Sequence, residues 1–335
     1  MAEQQADVQA RVRQFQEDYG KIAEEVHRFI VGHADVVDEA IICLMTGGHA
    51  LLEGVPGLGK TMLVRTLSEV LDLSFGRIQF TPDLMPADIT GTNVVITTDR
   101  GGKAFEFQPG PIFANLILAD EINRATPKTQ SAILEAMQEQ RVSVSRETHE
   151  LPRPFFVMAT QNPLEMEGTY PLPEAQLDRF QFKINVLSPE VDDLIAILDR
   201  TTGATVPSPG KVVTGKRVAE MQRLVRRVPV AAPVKEYIAR LTLASHTDSP
   251  DAPSVTKRFV RYGASPRAAQ SMILAAKVLA LRDGRPNVAF ADVRKIAYPS
   301  LRHRLILSFE GQAEGIDHDE IIRQIIEATP EAVTV

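Results

Sequence analysis

Apolar residues near the N-terminus follow the spacing of a helix. Between Val12 and Ile30 they recur every three or four positions, which predicts a helix over residues 7–30. The same spacing predicts a second helix over residues 34–46, and two consecutive glycines after it form a typical helix stop. The chain therefore begins with two helices before its first strand.

Five apolar runs have the length and composition of buried strands. They cover residues 49–53, 77–80, 115–119, 154–159 and 181–186. Helical spacing separates several of them, most clearly over residues 60–71 and 129–140. Strands that alternate with helices in this way predict an α/β fold in which helices cover both faces of a parallel sheet.

Two β-hairpins are predicted as inserts in this alternation. In the first, strands at residues 93–98 and 103–107 flank a turn at residues 99–102. In the second, strands at residues 141–145 and 150–154 flank a turn at residues 146–149. Neither hairpin fits the spacing of the parallel sheet, so both are expected to project from it.

The strand pattern ends near residue 187, and a polar connector with proline and glycine follows at residues 201–210. Helices are predicted beyond it, over residues 218–227, 233–245, 266–281, 290–301 and 318–327. A chain of 335 residues usually divides into about two domains. We therefore expect an α/β core of residues 1–187 and an all-α lid domain of residues 188–335.

Composition narrows the classes of protein that remain. One cysteine, Cys43, excludes an internal disulfide and a cysteine-rich zinc site. The longest uncharged stretches have 13 residues, whereas a membrane-spanning helix needs about 20. The N-terminus lacks the apolar segment of a signal peptide, so we expect a cytoplasmic protein. The net charge of -6 argues against broad affinity for nucleic acid.

A glycine-rich motif between the first strand and the next helix carries the strongest chemical signal. Residues 54–61 read Gly54-Val-Pro56-Gly57-Leu58-Gly59-Lys60-Thr61 and match the phosphate-binding pattern G-x-x-x-x-G-K-[ST]. Glycines let backbone N–H groups curl around a phosphate, and the helix that follows presents its positive end to the anion. In such a loop the lysine reaches the β- and γ-phosphates, and the Thr61 hydroxyl ligates Mg²⁺.

Polar residues end two of the later strands. Asp120 and Glu121 follow the apolar run of the third strand; Asp120 is expected to hold Mg²⁺ and Glu121 to activate the attacking water as general base. Asn162 follows the fourth strand and could hydrogen-bond the γ-phosphate or that water, with Thr160 as a second candidate. Together with the glycine-rich loop, these residues predict a site that hydrolyses a nucleoside triphosphate.

Several longer motifs resemble the MoxR family of AAA+ ATPases. They occupy residues 80–91 (FTPDLMPADITG), 120–125 (DEINRA), 130–140 (QSAILEAMQEQ), 159–163 (ATQNP) and 174–180 (EAQLDRF). The resemblance covers residues 31 to about 187 and is weaker in the lid. It implies an AAA+ P-loop core with two hairpin inserts, followed by a helical lid.

The resemblance also implies functional residues beyond the strand ends. Arg179 matches the arginine that reaches the γ-phosphate of a neighbouring subunit, and Arg124 is a second candidate for this role. Arg267 matches the second sensor arginine, acting in its own subunit or in the next. The ATP-binding set implied in this way comprises Val31, Gly32, Gly54, Pro56, Gly57, Leu58, Gly59, Lys60, Thr61, Met62, Asp120 and Arg267.

The family implies partners as well as cofactors. Its members use ATP and Mg²⁺ and usually form a ring, commonly a hexamer. They act as chaperone-like remodellers of a client or adaptor protein, often one with a von Willebrand A domain, in metal-cofactor insertion or complex assembly. A DNA-acting AAA+ motor, a nucleotide-gated scaffold and a small-molecule kinase are alternative interpretations of the same phosphate loop.

Overall fold

The structure, a computed structural model, describes residues 2–97, 102–145, 147–163, 168–202 and 208–331. Its strands are β1 (Ala50–Glu53), β2 (Phe75–Gln79), β3 (Gly91–Thr97), β4 (Lys103–Pro109), β5 (Leu116–Asp120), β6 (Arg141–Val144), β7 (Glu147–Glu150), β8 (Phe156–Gln161), β9 (Phe182–Asn185), β10 (Val260–Tyr262) and β11 (Ile306–Leu307).

Helices precede the sheet, connect its strands and follow it. They are α1 (Ala2–Phe29), α2 (Ala34–Thr46), α3 (Lys60–Val70), α4 (Pro86–Thr90), α5 (Pro127–Glu139), α6 (Glu174–Leu177), α7 (Val191–Thr201), α8 (Gly215–Arg227), α9 (Ala232–Ala244), α10 (Ser254–Phe259), α11 (Pro266–Arg282), α12 (Phe290–Leu301), α13 (Phe309–Glu314) and α14 (His318–Ala328). A 3₁₀ turn spans Ile122–Arg124.

The central sheet has five parallel strands in the order β2-β5-β8-β1-β9. All five strands therefore end at the same edge, where Gln79 lies opposite Asp120 and Gln161 lies opposite Glu53. In this order β8 separates the strand before the glycine-rich loop from the strand that ends in the acidic pair. The topology thus gathers the strand ends that carry the predicted site residues at one edge.

Both faces of the sheet are buried, as the near-continuous apolar strands predict. Leu51 and Leu52 are adjacent on β1, yet they belong to two different apolar clusters on opposite faces. One cluster includes α1, α2, α3 and the lid helices, and the other lies under α5. The predicted α/β fold with a covered parallel sheet is confirmed.

Two antiparallel hairpins extend from the core, as predicted. The first pairs β3 with β4 from Gly91–Pro109 to Thr97–Lys103, and most of its predicted turn lies outside the described residues. In the second, β6 pairs with β7, so the return strand is Glu147–Glu150. The prediction of a return strand at residues 150–154 is wrong, because the chain leaves the ladder there in a segment with two prolines, which cannot donate a backbone hydrogen bond.

Helices dominate the chain after β9, with one short antiparallel pair, β10–β11, that the sequence pattern does not predict. Helix α7 is also additional to the predicted set, although its apolar residues recur at helical spacing and its first turn carries Asp192 and Asp193. Lid helices α8 and α11 pack on α2. Among the described residues, no helix is long and apolar enough to cross a membrane. The division at residue 187 stays a prediction.

Candidate functional site

The glycine-rich loop joins β1 to α3. Gly57 and Gly59 have φ angles of 88° and 75°, a left-handed conformation that side chains with a Cβ rarely adopt. These angles turn the chain so that α3 begins at Lys60 with its N-terminus at the loop. Unpaired N–H groups at the start of a helix favour an anion there. The local backbone is that of a phosphate cradle.

Lys60 folds back over this loop, and its Nζ donates a hydrogen bond to the Gly54 carbonyl at 2.6 Å. Partial burial lowers the pKa of Lys60, while the carboxylates of Asp120, Glu121 and Glu53 oppose that shift by stabilising the charged form. The lysine and the acidic strand end thus lie at the same edge of the sheet, although they belong to different elements.

Thr160 holds the acidic pair in place from the neighbouring strand β8. Its hydroxyl donates to Asp120 Oδ1 at 2.8 Å and accepts the backbone N–H of Glu121, also at 2.8 Å. Glu121 itself has a left-handed backbone, with φ 57°, and starts the 3₁₀ turn that redirects the chain after β5. One hydroxyl group thus fixes both the metal-ligand candidate and the backbone of the candidate base.

Two residues of β2 complete this arrangement, and the sequence analysis missed both. Arg77 donates to Asp120 Oδ2 at 2.7 Å and to the Gln79 side-chain oxygen at 2.8 Å. The Gln79 amide then donates to Glu121 Oε2 at 2.8 Å. Residues two apart on a strand share a face, so the polar alternation in the predicted strand at residues 77–80 was a usable signal.

Asn162 lies directly after β8, between the ends of β1 and β5, and is buried. Arg124 lies in the 3₁₀ turn, where its Nη1 is 3.2 Å from Glu121 Oε2 in the same subunit. The structure therefore brings three predicted residues, Asn162, Glu121 and Arg124, to the same edge of the sheet.

A cavity of about 750 Å³ adjoins the glycine-rich loop. Its lining includes Val31, Gly57, Leu58, Gly59, Lys60 and Met62 of the predicted set, together with apolar residues of α7 such as Leu194 and Ile197. Gly32 lies beside Val31, with φ 65°. Gly54, Pro56 and Thr61 belong to the same loop without lining this cavity. Helix α7, absent from the sequence prediction, is thus part of the candidate site.

Arg179 and Arg267, the candidate trans and sensor arginines, do not line this cavity. Arg267 opens α11 and pairs with Asp178 at 3.2 Å. Arg179, next to Asp178, donates from Nη1 to the Leu134 carbonyl at 3.0 Å and lines a separate polar cavity of about 630 Å³ beside α5 and β6. Neither arginine is among the residues that line the loop cavity of its own subunit.

Known protein families and relatives match this chain in sequence. Residues 49–182 match the model of the ATPase family associated with various cellular activities (AAA), and residues 253–325 match the AAA lid domain. Chaperone MoxR1 of Mycobacterium tuberculosis is 43% identical over 303 residues, which are 90% of this chain and 79% of that protein. The chain belongs to the MoxR family of AAA+ ATPases.

Two further relatives extend the match of this MoxR-family chain over almost its whole length. The YeaC protein of Bacillus subtilis is 42% identical over 319 residues, which are 94% of this chain and 96% of that protein. A crystal structure of a candidate ATPase from Cytophaga hutchinsonii superposes with a TM-score of 0.90 at 38% identity, covering 98% of this chain and 99% of the other. The predicted family and fold are confirmed, whereas the roles of individual residues stay predictions.

The residues of this MoxR-family site fit a nucleotide with Mg²⁺. The left-handed glycines leave open space where a Cβ would stand at positions 57 and 59. Among the described residues, no cluster of three or more His, Cys, Asp or Glu could hold a metal by itself. Mg²⁺ typically takes one or two protein oxygens and completes its shell with waters and phosphates, which suits the hydroxyl of Thr61 and the carboxylate of Asp120.

Proposed function

We propose that this protein binds and hydrolyses ATP with Mg²⁺ as a ring-forming, chaperone-like remodeller of partner proteins. The observation that carries the proposal is topological: the glycine-rich loop with Lys60 follows β1, and the acidic pair stands at the end of β5, at the same edge of the sheet with β8 between the two strands. A phosphate group between them would meet the Lys60 cation and the N-terminus of α3 on one side and the acidic pair on the other.

Each residue then has a defined task. Lys60 would exchange the Gly54 carbonyl for phosphate oxygens, and Thr61 and Asp120 would hold Mg²⁺, which neutralises charge that develops on the phosphates. Glu121 would take the proton of the attacking water, with its backbone held by Thr160. Asn162 and Arg267 would contact the γ-phosphate, so that the state of the nucleotide is sensed by both the core and the lid.

Arg179 supports a ring, because in the family resemblance it matches the arginine that reaches the γ-phosphate of a neighbouring subunit. We infer that it completes the site of the next subunit in a hexameric ring, so that two neighbouring subunits form each site. Arginine suits this role since its planar fork binds phosphate oxygens and is always charged. Arg124 is the weaker candidate, since it is already paired with Glu121 in its own subunit.

The first hairpin supports contact with a client protein. Val95 and Phe105 form a cross-strand pair on it, and their side chains are 57% and 77% exposed. An exposed apolar pair of this kind is suited to binding the surface of another protein. Hydrolysis would change the angle between core and lid and move the hairpins. The client would be a protein undergoing metal-cofactor insertion or assembly, or an adaptor with a von Willebrand A domain.

Replacement of Lys60 by alanine tests nucleotide binding directly. Affinity for ATP and steady-state hydrolysis should both fall by at least tenfold, because the cation of the phosphate cradle is lost. The matched control is Lys211→Ala, which removes an exposed lysine paired with Asp72 outside the site and should change neither. Unaltered ATP binding by Lys60→Ala would overturn the proposed site.

Mixed assemblies test the second subunit's contribution. Arg179→Ala subunits keep their own ATP site and lack the trans arginine, whereas Lys60→Ala subunits lack ATP binding and keep the arginine. Mixing two inactive variants should restore part of the hydrolysis if Arg179 acts across an interface. No recovery in assemblies shown by mass spectrometry to contain both subunits would contradict the trans role.

A further inference from the structure

The chain segment that carries Arg179 is clamped by the lid. This segment, residues 178–181, runs from α6 to β9. Arg304 of the lid donates to the carbonyl groups of Asp178, Phe180 and Gln181. The hydroxyl of Ser271, on α11, donates to the Gln181 carbonyl at 2.7 Å. The backbone on both sides of Arg179 is therefore tied to lid residues.

Asp178 is the centre of this contact. Its carboxylate accepts hydrogen bonds from the Ser265 hydroxyl at 2.8 Å and from Arg304 Nε at 2.8 Å, and it pairs with Arg267 Nη1 at 3.2 Å. Ser265 caps α11, and Arg267 stands in its first turn. The candidate sensor arginine thus pairs with the residue that immediately precedes the candidate trans arginine in the chain.

The two arginines on Asp178 differ sharply in exposure. The side chain of Arg304 is 3% exposed, whereas that of Arg267 is 49% exposed. A half-exposed ion pair contributes little and exchanges easily, whereas breaking a buried one is expensive. Arg267 can therefore leave Asp178 for another anion, while Arg304 and Ser265 keep the carboxylate paired. The exchange would leave no buried charge without a partner.

We propose that Asp178 is a positioning residue that competes with the γ-phosphate for Arg267 and so links the nucleotide bound by one subunit to the placement of that subunit's own Arg179 at the site of the next. This inference rests on the proposed function, because it takes Arg267 as a γ-phosphate contact. When Arg267 pairs with the phosphate, Asp178 loses one of its two arginine partners and keeps Arg304 and Ser265. The residue beside Asp178 in the chain is Arg179, so the change in the lid contact reaches it through a single peptide unit.

The competition is tested by nucleotide selectivity rather than by hydrolysis. Asp178→Asn keeps the size of the side chain and an acceptor oxygen but removes the charge that holds Arg267. The ratio of affinities for a non-hydrolysable ATP analogue and for ADP should rise by about threefold to tenfold, measured by calorimetry. A general loosening of the fold would weaken both nucleotides alike, so an unchanged ratio would overturn the proposal.

A double-mutant comparison assigns the effect to Arg267. In an Arg267→Ala background, Asp178→Asn should leave the ratio unchanged, because no arginine remains to be released. An equal rise in that background would overturn the proposal. Ser265→Ala is the matched control: it removes two contacts to Asp178 but no charge, and should leave the ratio as in the parent. If the parent binds neither nucleotide, the proposed function itself fails, which is a distinct result.

A separate mixing experiment tests the link between Asp178 and Arg179. Arg179→Ala subunits, which can hydrolyse only with a neighbour's arginine, are mixed with donor subunits carrying Glu121→Gln, which hold ATP without turnover. Adding Asp178→Asn to the donors should change the hydrolysis rate of the mixture by at least threefold. Equal rates with both donors, in assemblies of equal composition, would overturn the link between Asp178 and Arg179.

Discussion

Ion pairs at the strand-end site and at the core–lid contact are built differently. At the strand ends, the arginines that pair with Asp120 and Glu121 have side chains 50% and 38% exposed. At the core–lid contact, Arg304 is 3% exposed and also donates to three backbone carbonyls around Asp178. Water screens the first kind of pair, whereas in the second kind the arginine is buried and the carboxylate is mostly buried.

This difference in side-chain exposure determines which ion pairs can change partner. Exposed pairs contribute about 0–1 kcal/mol, so a phosphate or a metal ion can replace them at little cost. Removing one partner of a buried pair costs about 3–5 kcal/mol, since it strands the other charge. The site where ligands exchange is therefore made of weak pairings. The core–lid contact, in contrast, includes a strong pairing between Asp178 and buried Arg304.

The largest effect is expected from Glu121→Gln. Loss of the general base should lower the hydrolysis rate by about a thousandfold, or about 4 kcal/mol in the barrier. Because Gln keeps the shape and the contact with Gln79, the free energy of unfolding should stay within about 0.5 kcal/mol of the parent. Steady-state phosphate release and chemical denaturation check the two halves of this prediction.

Glu327→Gln is the matched control for that experiment. Glu327 lies on α14, is not among the residues that line the loop cavity, and pairs with exposed Arg323, so its loss should change the hydrolysis rate less than twofold. Hydrolysis at the parent rate by Glu121→Gln would show that Glu121 is not the base.

The second effect in size is expected from Arg304→Met, which keeps much of the side-chain volume. The free energy of unfolding should fall by about 3 kcal/mol, because the Asp178 carboxylate loses its buried partner. Arg258→Met is the comparison, since Arg258 pairs with Glu310 and Glu314 at the surface and should cost less than about 1 kcal/mol. Equal losses in denaturant titrations would erase the proposed difference between the two regions.

The strand-end site was largely predictable from sequence because its signals are local. The glycines, Lys60 and Thr61 are adjacent in the chain, and the ends of parallel strands must meet at one edge of the sheet. Asp120, Glu121 and Asn162 could therefore be placed together from the pattern alone. Even so, Gln79 and Arg77 were missed, because the choice of β2 as the neighbour of β5 depends on the strand order.

The core–lid contact was not predictable in the same way. Asp178 and Arg304 are 126 residues apart, and no spacing rule relates them. The hydrophobic pattern predicted most lid helices but not the short β10–β11 pair, whose few residues give no periodic signal. Helix α7 was overlooked despite a periodic signal. The end of the second hairpin was misplaced, because apolar Leu151 continues the strand pattern after pairing has stopped.

Acid should lower the stability of the fold through a buried neutral histidine, His49. His49 accepts the Val157 N–H at Nδ1 and lies 3.0 Å from the Met137 carbonyl at Nε2, which fixes the tautomer with the proton on Nε2. Burial lowers the pKa of His49 from 6.5 to about 4. Below pH 6.5 the unfolded chain takes up a proton that the native state refuses, so stability present above that pH is lost as the pH falls toward 4.

At pH 5 this loss should amount to about 2 kcal/mol relative to pH 7. His49→Gln, which does not titrate, should show a smaller loss over the same interval in denaturant titrations. Taking the difference between the two proteins removes the contribution of the other titrating groups. An identical pH dependence in both would show that folding does not lower the pKa of His49.

The smallest change in stability is expected from Arg77→Ala, and it is the sharpest test of the exchangeable site. Arg77 bonds Asp120 and Gln79 at 2.7 and 2.8 Å, distances as short as those around Asp178. If distance decided strength, its loss would rival that of Arg304. Because its side chain is half exposed, we expect the free energy of unfolding to fall by less than about 1 kcal/mol, and to fall less still at 1 M salt. A loss of about 3 kcal/mol in denaturant titrations would contradict the view that exposure, rather than distance, separates the two regions.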